Sequence, residues 1–234
     1  MVKNYDSKDS TSYTYGVYPT LELFEYRSMA VNQIIYNSKG ERNTGLEKIK
    51  TLCQENRTPF AQNDKLVDQL SGTENAYVIG VFNKYESSIK PNENHLVLVG
   101  PRDMGNLGTI IRTMVAFDFT NLAIIKPAAD IFNPKAVRAS MGELFQINFE
   151  YFDNFSEYKQ KYHNNLYPLM TNGKENFETA NLKSPYSIIF GSEAAGLDDS
   201  YLSQGTSLKI KQSPKVDSLN LASAVSIVLH KLFL

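Results

Sequence analysis

Cysteine occurs once in the 234 residues, as Cys53, which excludes an intramolecular disulfide. His95, His163 and His230 are scattered without ligand spacing, so no metal is expected. No stretch approaches the ~18 consecutive apolar residues of a membrane span. The first residues, Met1 to Tyr18, lack the basic-then-apolar order of an export signal. These absences point to a protein of the reducing cytoplasm with no membrane partner. A surplus of positive charge is missing too: the formal net charge is −1, with 11 basic against 12 acidic residues up to position 93 and 13 against 13 after it. Phosphate neutralisation and counterion release supply much of the affinity of nucleic-acid binders. Any such face here has to come from local arrangement of charge.

What is present is the composition of an ordinary globular chain, 42% hydrophobic, 12% aromatic and 21% charged. Residues 1–15 are polar and without apolar period and read as a flexible leader. From Gly16, helical spacing (Leu21, Leu23, Phe24 and Met29; then Leu46, Ile49, Leu52 and Cys53; then Leu66, Val67 and Leu70, ending at Gly72) alternates with strand-like runs at 33–36 and 77–82. Residues 16–84 therefore form a small α/β domain. The polar stretch 85–94, with Pro91, reads as a linker. Over 95–234, strand-like runs (96–99, 122–125, 145–149, 166–170, 188–190, 208–210) alternate with helical ones (107–117, 155–162, 219–232). That alternation predicts an α/β domain with a mainly parallel sheet and helices on both faces.

Three stretches carry chemistry. The first runs from Leu96 through Gly100 to Arg112: an apolar strand breaking into a Gly-rich turn that feeds a helix. Gly100 and Gly105 have the phosphate-loop interval, but Asn106 stands where Lys is required, and the glycines miss the dinucleotide spacing. The bland alternative is a strand-to-helix turn with a solvated Arg112. The second, Ser187 to Asp198, is a strand ending in small residues around one carboxylate, Glu193; small residues admit a ligand to the backbone, and an ordinary capped turn explains them equally. The third, Leu208 to Ala224, is a strand, a polar loop and a helix, with Ser218 and Asn220 as either site residues or plain caps.

In this order and spacing the three stretches resemble the motifs of the SpoU (TrmH-like) branch of the SPOUT methyltransferases. Asn106, Gly108, Ile110 and Arg112 match its Asn-x-Gly-x-Ile-x-Arg motif, Gly191-Ser192-Glu193 with Gly196-Leu197 its Gly-Ser-Glu-x-x-Gly-Leu motif, and Ser218-Leu219-Asn220 its Ser-Leu-Asn motif. The resemblance covers roughly residues 95–234, and the leading unit is similar to the small RNA-binding domain that members of the RlmB type carry in front. It implies a trefoil-knotted domain, S-adenosylmethionine (SAM) as cofactor, a homodimer with each active site completed across the interface, and methylation of a ribose 2′-hydroxyl of ribosomal or transfer RNA. By the same resemblance, backbone at Gly191, Ser192, Gly196, Ile210 and Leu219 holds SAM. Asn106, Glu193, Ser218 and Asn220 shape the catalytic site, and Arg112 acts on the target hydroxyl or orients its phosphate. Arg138 and Ser140, on a Pro-initiated helix over 133–142, are placed by analogy toward the same cleft. The chain departs from the pattern where Ile210-Lys211-Gln212 replaces the usual Ile-Pro-Met, Pro214 replaces a Gly, and Asp118 stands where a Gly commonly ends the first helix. The competing expectation, motivated by Lys211-Gln212 and the neutral charge, is a non-catalytic RNA-binding or ribosome-assembly protein on the same fold.

Overall fold

The computed structural model describes residues 4–71 and 76–234; the expected helix end at Gly72 lies outside them. In chain order the elements are β1 (Thr11–Tyr15), α1 (Val17–Arg27), β2 (Val31–Tyr36), α2 (Thr44–Glu55), β3 (Phe60–Gln62), α3 (Asp64–Ser71) and β4 (Val78–Asn83). There follow β5 (His95–Val99), α4 (Met104–Ala116), β6 (Asn121–Ile125), α5 (Pro134–Ala139), β7 (Asn148–Phe152), α6 (Phe155–Lys161) and β8 (Asn165–Pro168). The chain closes with β9 (Glu175–Asn176), β10 (Tyr186–Phe190), β11 (Leu208–Lys209) and α7 (Leu221–Phe233).

Two compact units result, one from Met1–Tyr85 with Asp130–Gln146, the other from Glu86–Ala129 with Ile147–Leu234. The first is built on a sheet in the order β1-β4-β2-β3. Period-2 alternation splits its apolar residues between two faces: Phe24, Ile34, Leu46, Ile49 and Val78 share one cluster, and Tyr13, Ile35, Val67, Ile79 and Val81 the other.

Three expectations are corrected in this region. The leader over 1–15 is not loose throughout, because Thr11–Tyr15 pairs antiparallel with β4. Its Ser12 and Thr14 are buried yet satisfied, Ser12 Oγ donating to the Phe132 carbonyl at 2.5 Å and Thr14 Oγ1 lying 2.7 Å from Thr20 Oγ1. Second, Asp130–Gln146 leaves the domain assigned from sequence and joins the first unit, where Phe145 meets Phe82 edge-on at 5.2 Å. Residues 145–146 accordingly close a 3-10 turn and the strand starts only at Asn148. Third, the expected linker 85–94 is mostly exposed, as read, but it is anchored to the second unit rather than free of it. Ile89 is buried in the second unit's core, and the Lys90 N–H donates to Asn121 Oδ1 at 2.9 Å.

The second unit is a five-stranded parallel sheet in the order β7-β6-β5-β10-β8. The chain steps outward from β5 through β6 to β7, then returns to the other side of β5 with β8 and β10. β5 and β10 therefore flank the switch point, where open parallel sheets bind ligands at the strands' carboxyl ends. One face is packed by Tyr158 and Tyr162 of the α6 region against Val97, Ala123, Ile125 and Ile189. Leu96, Leu98, Leu122, Ile124 and Ile188 point the opposite way and are equally buried; α4 and α7, which pack on each other, offer the apolar sides to cover them. No helix among the described residues is long and apolar enough to cross a membrane.

At the start of β5, His95 is fully buried in a closed polar network: Nε2 lies 2.8 Å from the Lys90 carbonyl, Nδ1 2.8 Å from the Tyr158 hydroxyl, and that hydroxyl 2.5 Å from Ser187 Oγ. A carbonyl only accepts, so Nε2 carries the proton and Nδ1 accepts from Tyr158. Burial lowers the His95 pKa, against the smaller raising effects of the Lys90 carbonyl and of Glu93 and Glu150. The unfolded chain then takes up the proton first as pH falls, so this contribution to stability is complete above about pH 6.5 and declines below it. Thermal midpoints measured from pH 7.5 to 5 are expected to fall more steeply for wild type than for His95→Gln; equal slopes would remove His95 as the cause.

Candidate active site

The loops that follow β5 and β10 carry the first two motif stretches to the same end of the sheet. Asp103 caps α4, its Oδ1 accepting the Asn106 N–H at 2.7 Å, which fixes the helix start and presents the Asn106 side chain. Glu193 faces that turn. Its carboxylate accepts the backbone N–H groups of Arg102 (3.2 Å) and Asp103 (3.3 Å) and Asn106 Nδ2 (3.2 Å). Asn106 Oδ1 in turn accepts Asn220 Nδ2 at 3.2 Å. Asn220 also caps α7, its Oδ1 accepting Ala222 N–H at 2.9 Å and Ser223 N–H at 3.3 Å. One unbroken chain of side-chain hydrogen bonds, Glu193 to Asn106 to Asn220, thus joins the three stretches. The acidic residue balances a cluster of donors at the start of α4, an arrangement that the helix dipole favours.

Beside this chain opens a cleft of about 410 Å³, within the range of small-molecule sites. Gly191, Ser192, Glu193, Gly196, Ile210, Ser218 and Leu219 line it, while Asn106 and Asn220 do not. Phe190 and Leu169 supply apolar surface, while Asn172, Asp199, Gln212 and Asp217 put polar groups at its rim, with Asn172 Nδ2 donating to Asp199 Oδ1 at 3.1 Å. The loop after β10 is drawn tightly back on itself: the Gly196 N–H donates to the Ser192 carbonyl at 2.9 Å, and a Cβ on Gly191 would stand 2.0 Å from the Gly196 carbonyl carbon. Only glycine tolerates that backbone crossing.

Arg112, by contrast, is exposed on α4 on the ridge it shares with Thr109 and Ala116, does not line the cleft, and has no hydrogen-bond or ion-pair partner among the described residues. Ser140 is buried in the first unit with its hydroxyl donating to the Val137 carbonyl at 2.8 Å. Sequence reasoning missed Asp103, Asn172 and Asp199; the signal for Asp103 was its place just before the helix, and nothing local marked the other two. Asp118 adopts φ +53°, which accounts for the residue the first helix's end tolerates there, since Asp and Asn visit the left-handed region more readily than most. Burial pushes the Cys53 thiol up to about 11, which makes it a poor nucleophile. No group of three or more His, Cys, Asp and Glu residues placed to hold a metal ion occurs among the described residues.

A family profile described as the SpoU rRNA Methylase family matches residues 93–230, well over half of the chain. An uncharacterised tRNA/rRNA methyltransferase of Synechocystis sp. is 31% identical over 140 residues, covering 58% of this chain and 51% of that protein. The 23S rRNA (guanosine(2553)-2′-O)-methyltransferase RlmP of Bacillus subtilis is 29% identical over 144 residues, 58% of this chain and 56% of its own. The chain thus spans little more than half the length of these curated relatives. Among solved structures, the SpoU methyltransferase AviRb of Streptomyces viridochromogenes in complex with AdoMet superposes with a TM-score of 0.82 at 20% identity, over 96% of this chain and 89% of that one. An AdoMet-bound rRNA methyltransferase of Sinorhizobium meliloti gives 0.79 at 22% identity, over 95% and 86%. At such identities these two show a shared fold.

Proposed function

The chain belongs to the SpoU rRNA methylase family, and from that premise we propose that it transfers a methyl group from SAM to a ribose 2′-hydroxyl of ribosomal or transfer RNA. The observation that carries the reading is the hydrogen-bonded chain Glu193–Asn106–Asn220, which ties all three motif stretches to the rim of one cleft of suitable size.

The cleft fits SAM in its chemistry: apolar Phe190, Ile210 and Leu219 suit the adenine, Asn172 and the rim carboxylates Asp199 and Asp217 suit the ribose hydroxyls and the amino-acid end, and the bare backbone at Gly191 leaves room for close approach. When bound, SAM supplies a methyl group on a positively charged sulfur. Glu193, which lines the cleft, holds the 100–106 turn against the 191–196 loop and, through Asn106, ties Asn220 at the start of α7 to it. Arg112 is assigned the RNA side. A guanidinium stays protonated in proteins and has no lone pair to accept the hydroxyl proton, so it is a poor base; bidentate contact to a phosphate would orient the neighbouring 2′-oxygen for in-line attack.

The exposure of Arg112 away from its own cleft supports a homodimer in which each Arg112 serves the partner's site. Apolar Ile227 and Phe233, exposed on α7, supply surface for such a contact. In this reading the second unit's C-terminal loops form the family's trefoil knot, the first unit grips structured RNA, and the protein works in the cytoplasm without a metal.

Isothermal titration with SAM tests the reading. Saturable binding is expected, weakened about tenfold in Glu193→Gln, whose amide replaces a charge-assisted acceptor of three donors. No binding at millimolar SAM would favour the non-catalytic RNA binder instead.

A further inference from the structure

The wall of the cleft between β11 and α7 has no regular element of its own. Over 211–218 every residue is exposed except Gln212, which is half-buried and itself lines the cleft. A chain segment so poorly covered has little packing to fix its shape, and ordering it on ligand binding would cost affinity.

Gln212 meets that problem with its side chain. Nε2 lies 3.3 Å from the Val216 carbonyl oxygen and 3.1 Å from that of Asp217. Carbonyls accept only, so both bonds use the two protons of the amide nitrogen, and the amide orientation follows. The bonds close a ring over residues 212–217, inside which the Lys215 N–H donates to Ser213 Oγ at 3.3 Å. The stretch is also held from behind, where the Lys211 N–H donates to Glu178 Oε1 at 3.0 Å. Its far end runs directly into Asp217, Ser218 and Leu219, the residues that present this wall to the cleft.

We propose that Gln212 is a positioning residue for the cofactor: its carboxamide latches the 212–217 loop, so that Asp217, Ser218 and Leu219 stand in place on the cleft before SAM arrives. The inference rests on the SAM-dependent reading above, and it assigns Gln212 no contact with the reacting atoms. Gln is suited to the task because it carries two donors on one nitrogen at the end of a flexible stem. Met, of similar length, carries none, and Glu would set a carboxylate against two carbonyl oxygens.

The test compares wild type with Gln212→Met and Gln212→Glu in two measurements: amide hydrogen exchange over 215–218 in the unliganded protein, and methyl-transfer kinetics with SAM varied. Exchange there is expected to rise about tenfold in both variants, the scale of losing one to two hydrogen bonds. The KM for SAM is expected to rise by a similar factor, while kcat at saturating SAM and the thermal midpoint stay at wild-type values. A residue with only a general structural role would instead lower the midpoint and kcat together. Unchanged exchange overturns the latch, and faster exchange with an unchanged KM for SAM overturns its role in cofactor binding. If wild type neither binds SAM nor transfers a methyl group, the reading on which the latch rests falls. If wild type does both and the two variants match wild type in exchange and in KM for SAM, the latch alone falls.

Discussion

Arg112→Ala is expected to lower kcat for methyl transfer by about 10²–10³-fold, the scale lost when a charged group that orients the reacting atoms is removed, with SAM affinity unchanged. The second half of that expectation comes from position. Arg112 is exposed on α4, outside the residues that line the cleft and without a bonding partner among the described residues. Its loss therefore breaks no internal contact, and the thermal midpoint should move little, as exposed substitutions usually change stability by less than about 0.5 kcal/mol. Paired SAM titration and single-turnover methyl transfer check this. Near-wild-type turnover would remove Arg112 from the mechanism, and a parallel loss of SAM binding would mean that it acts on the cofactor rather than on RNA. If Arg112 serves the partner's cleft, mixing Arg112→Ala with a Gly191→Ala protein should restore part of the activity through heterodimers with one intact composite site.

Gly191→Ala is expected to abolish SAM binding and to destabilise the second unit. A methyl group there would lie 2.0 Å from the Gly196 carbonyl carbon and 2.2 Å from its oxygen. These are backbone atoms that no rotamer change can clear, so the 191–197 loop has to open. Overpacking of this kind costs about 3 kcal/mol or more, which corresponds to roughly 6–12 °C in thermal midpoint for a domain of this size. Gly196 provides the internal control. A Cβ on it would meet nothing within 4 Å, but its φ is +67°, so Gly196→Ala bears only the left-handed penalty of roughly 1–2 kcal/mol. Thermal melts and SAM titrations of the two variants should rank Gly191→Ala as clearly the more damaging; equal effects would show that the backbone crossing does not shape the cleft.

The parallel sheet was legible because its central strands, such as Leu96–Val99 and Leu122–Ile125, are continuous apolar runs buried on both sides. The motif residues were legible because their chemistry is carried by residue type: Glu193, Asn106 and Asn220 meet through side-chain bonds, and Gly191 and Ile210 reach the cleft through position alone. What escaped has a common cause, in that its partners are distant in sequence. β1 reads Thr-Ser-Tyr-Thr-Tyr, polar by composition, and becomes a strand because Phe132, Thr20 and Gly80 satisfy its buried hydroxyls. Asp130–Gln146 follows β6 directly yet joins the first unit, drawn there by Phe132 and Phe145 against Phe82. Residues 85–94 are mostly exposed, as a linker is, and only Ile89 enters the core. Gln212 looked like a defect in a motif, and only the positions of the Val216 and Asp217 carbonyls give its side chain a task. Arg112 runs the other way: its sequence motif is plain, while the isolated chain leaves it outside the cleft it was expected to serve.

The central claim is tested most directly by incubating the protein with methyl-labelled SAM and ribosomal and transfer RNA from cells lacking it, then digesting the product and locating the label. Label recovered in nuclease-resistant, 2′-O-methylated dinucleotides, and lost with Arg112→Ala, is the predicted result. Label on a base, or none transferred by a protein that binds SAM, would contradict it.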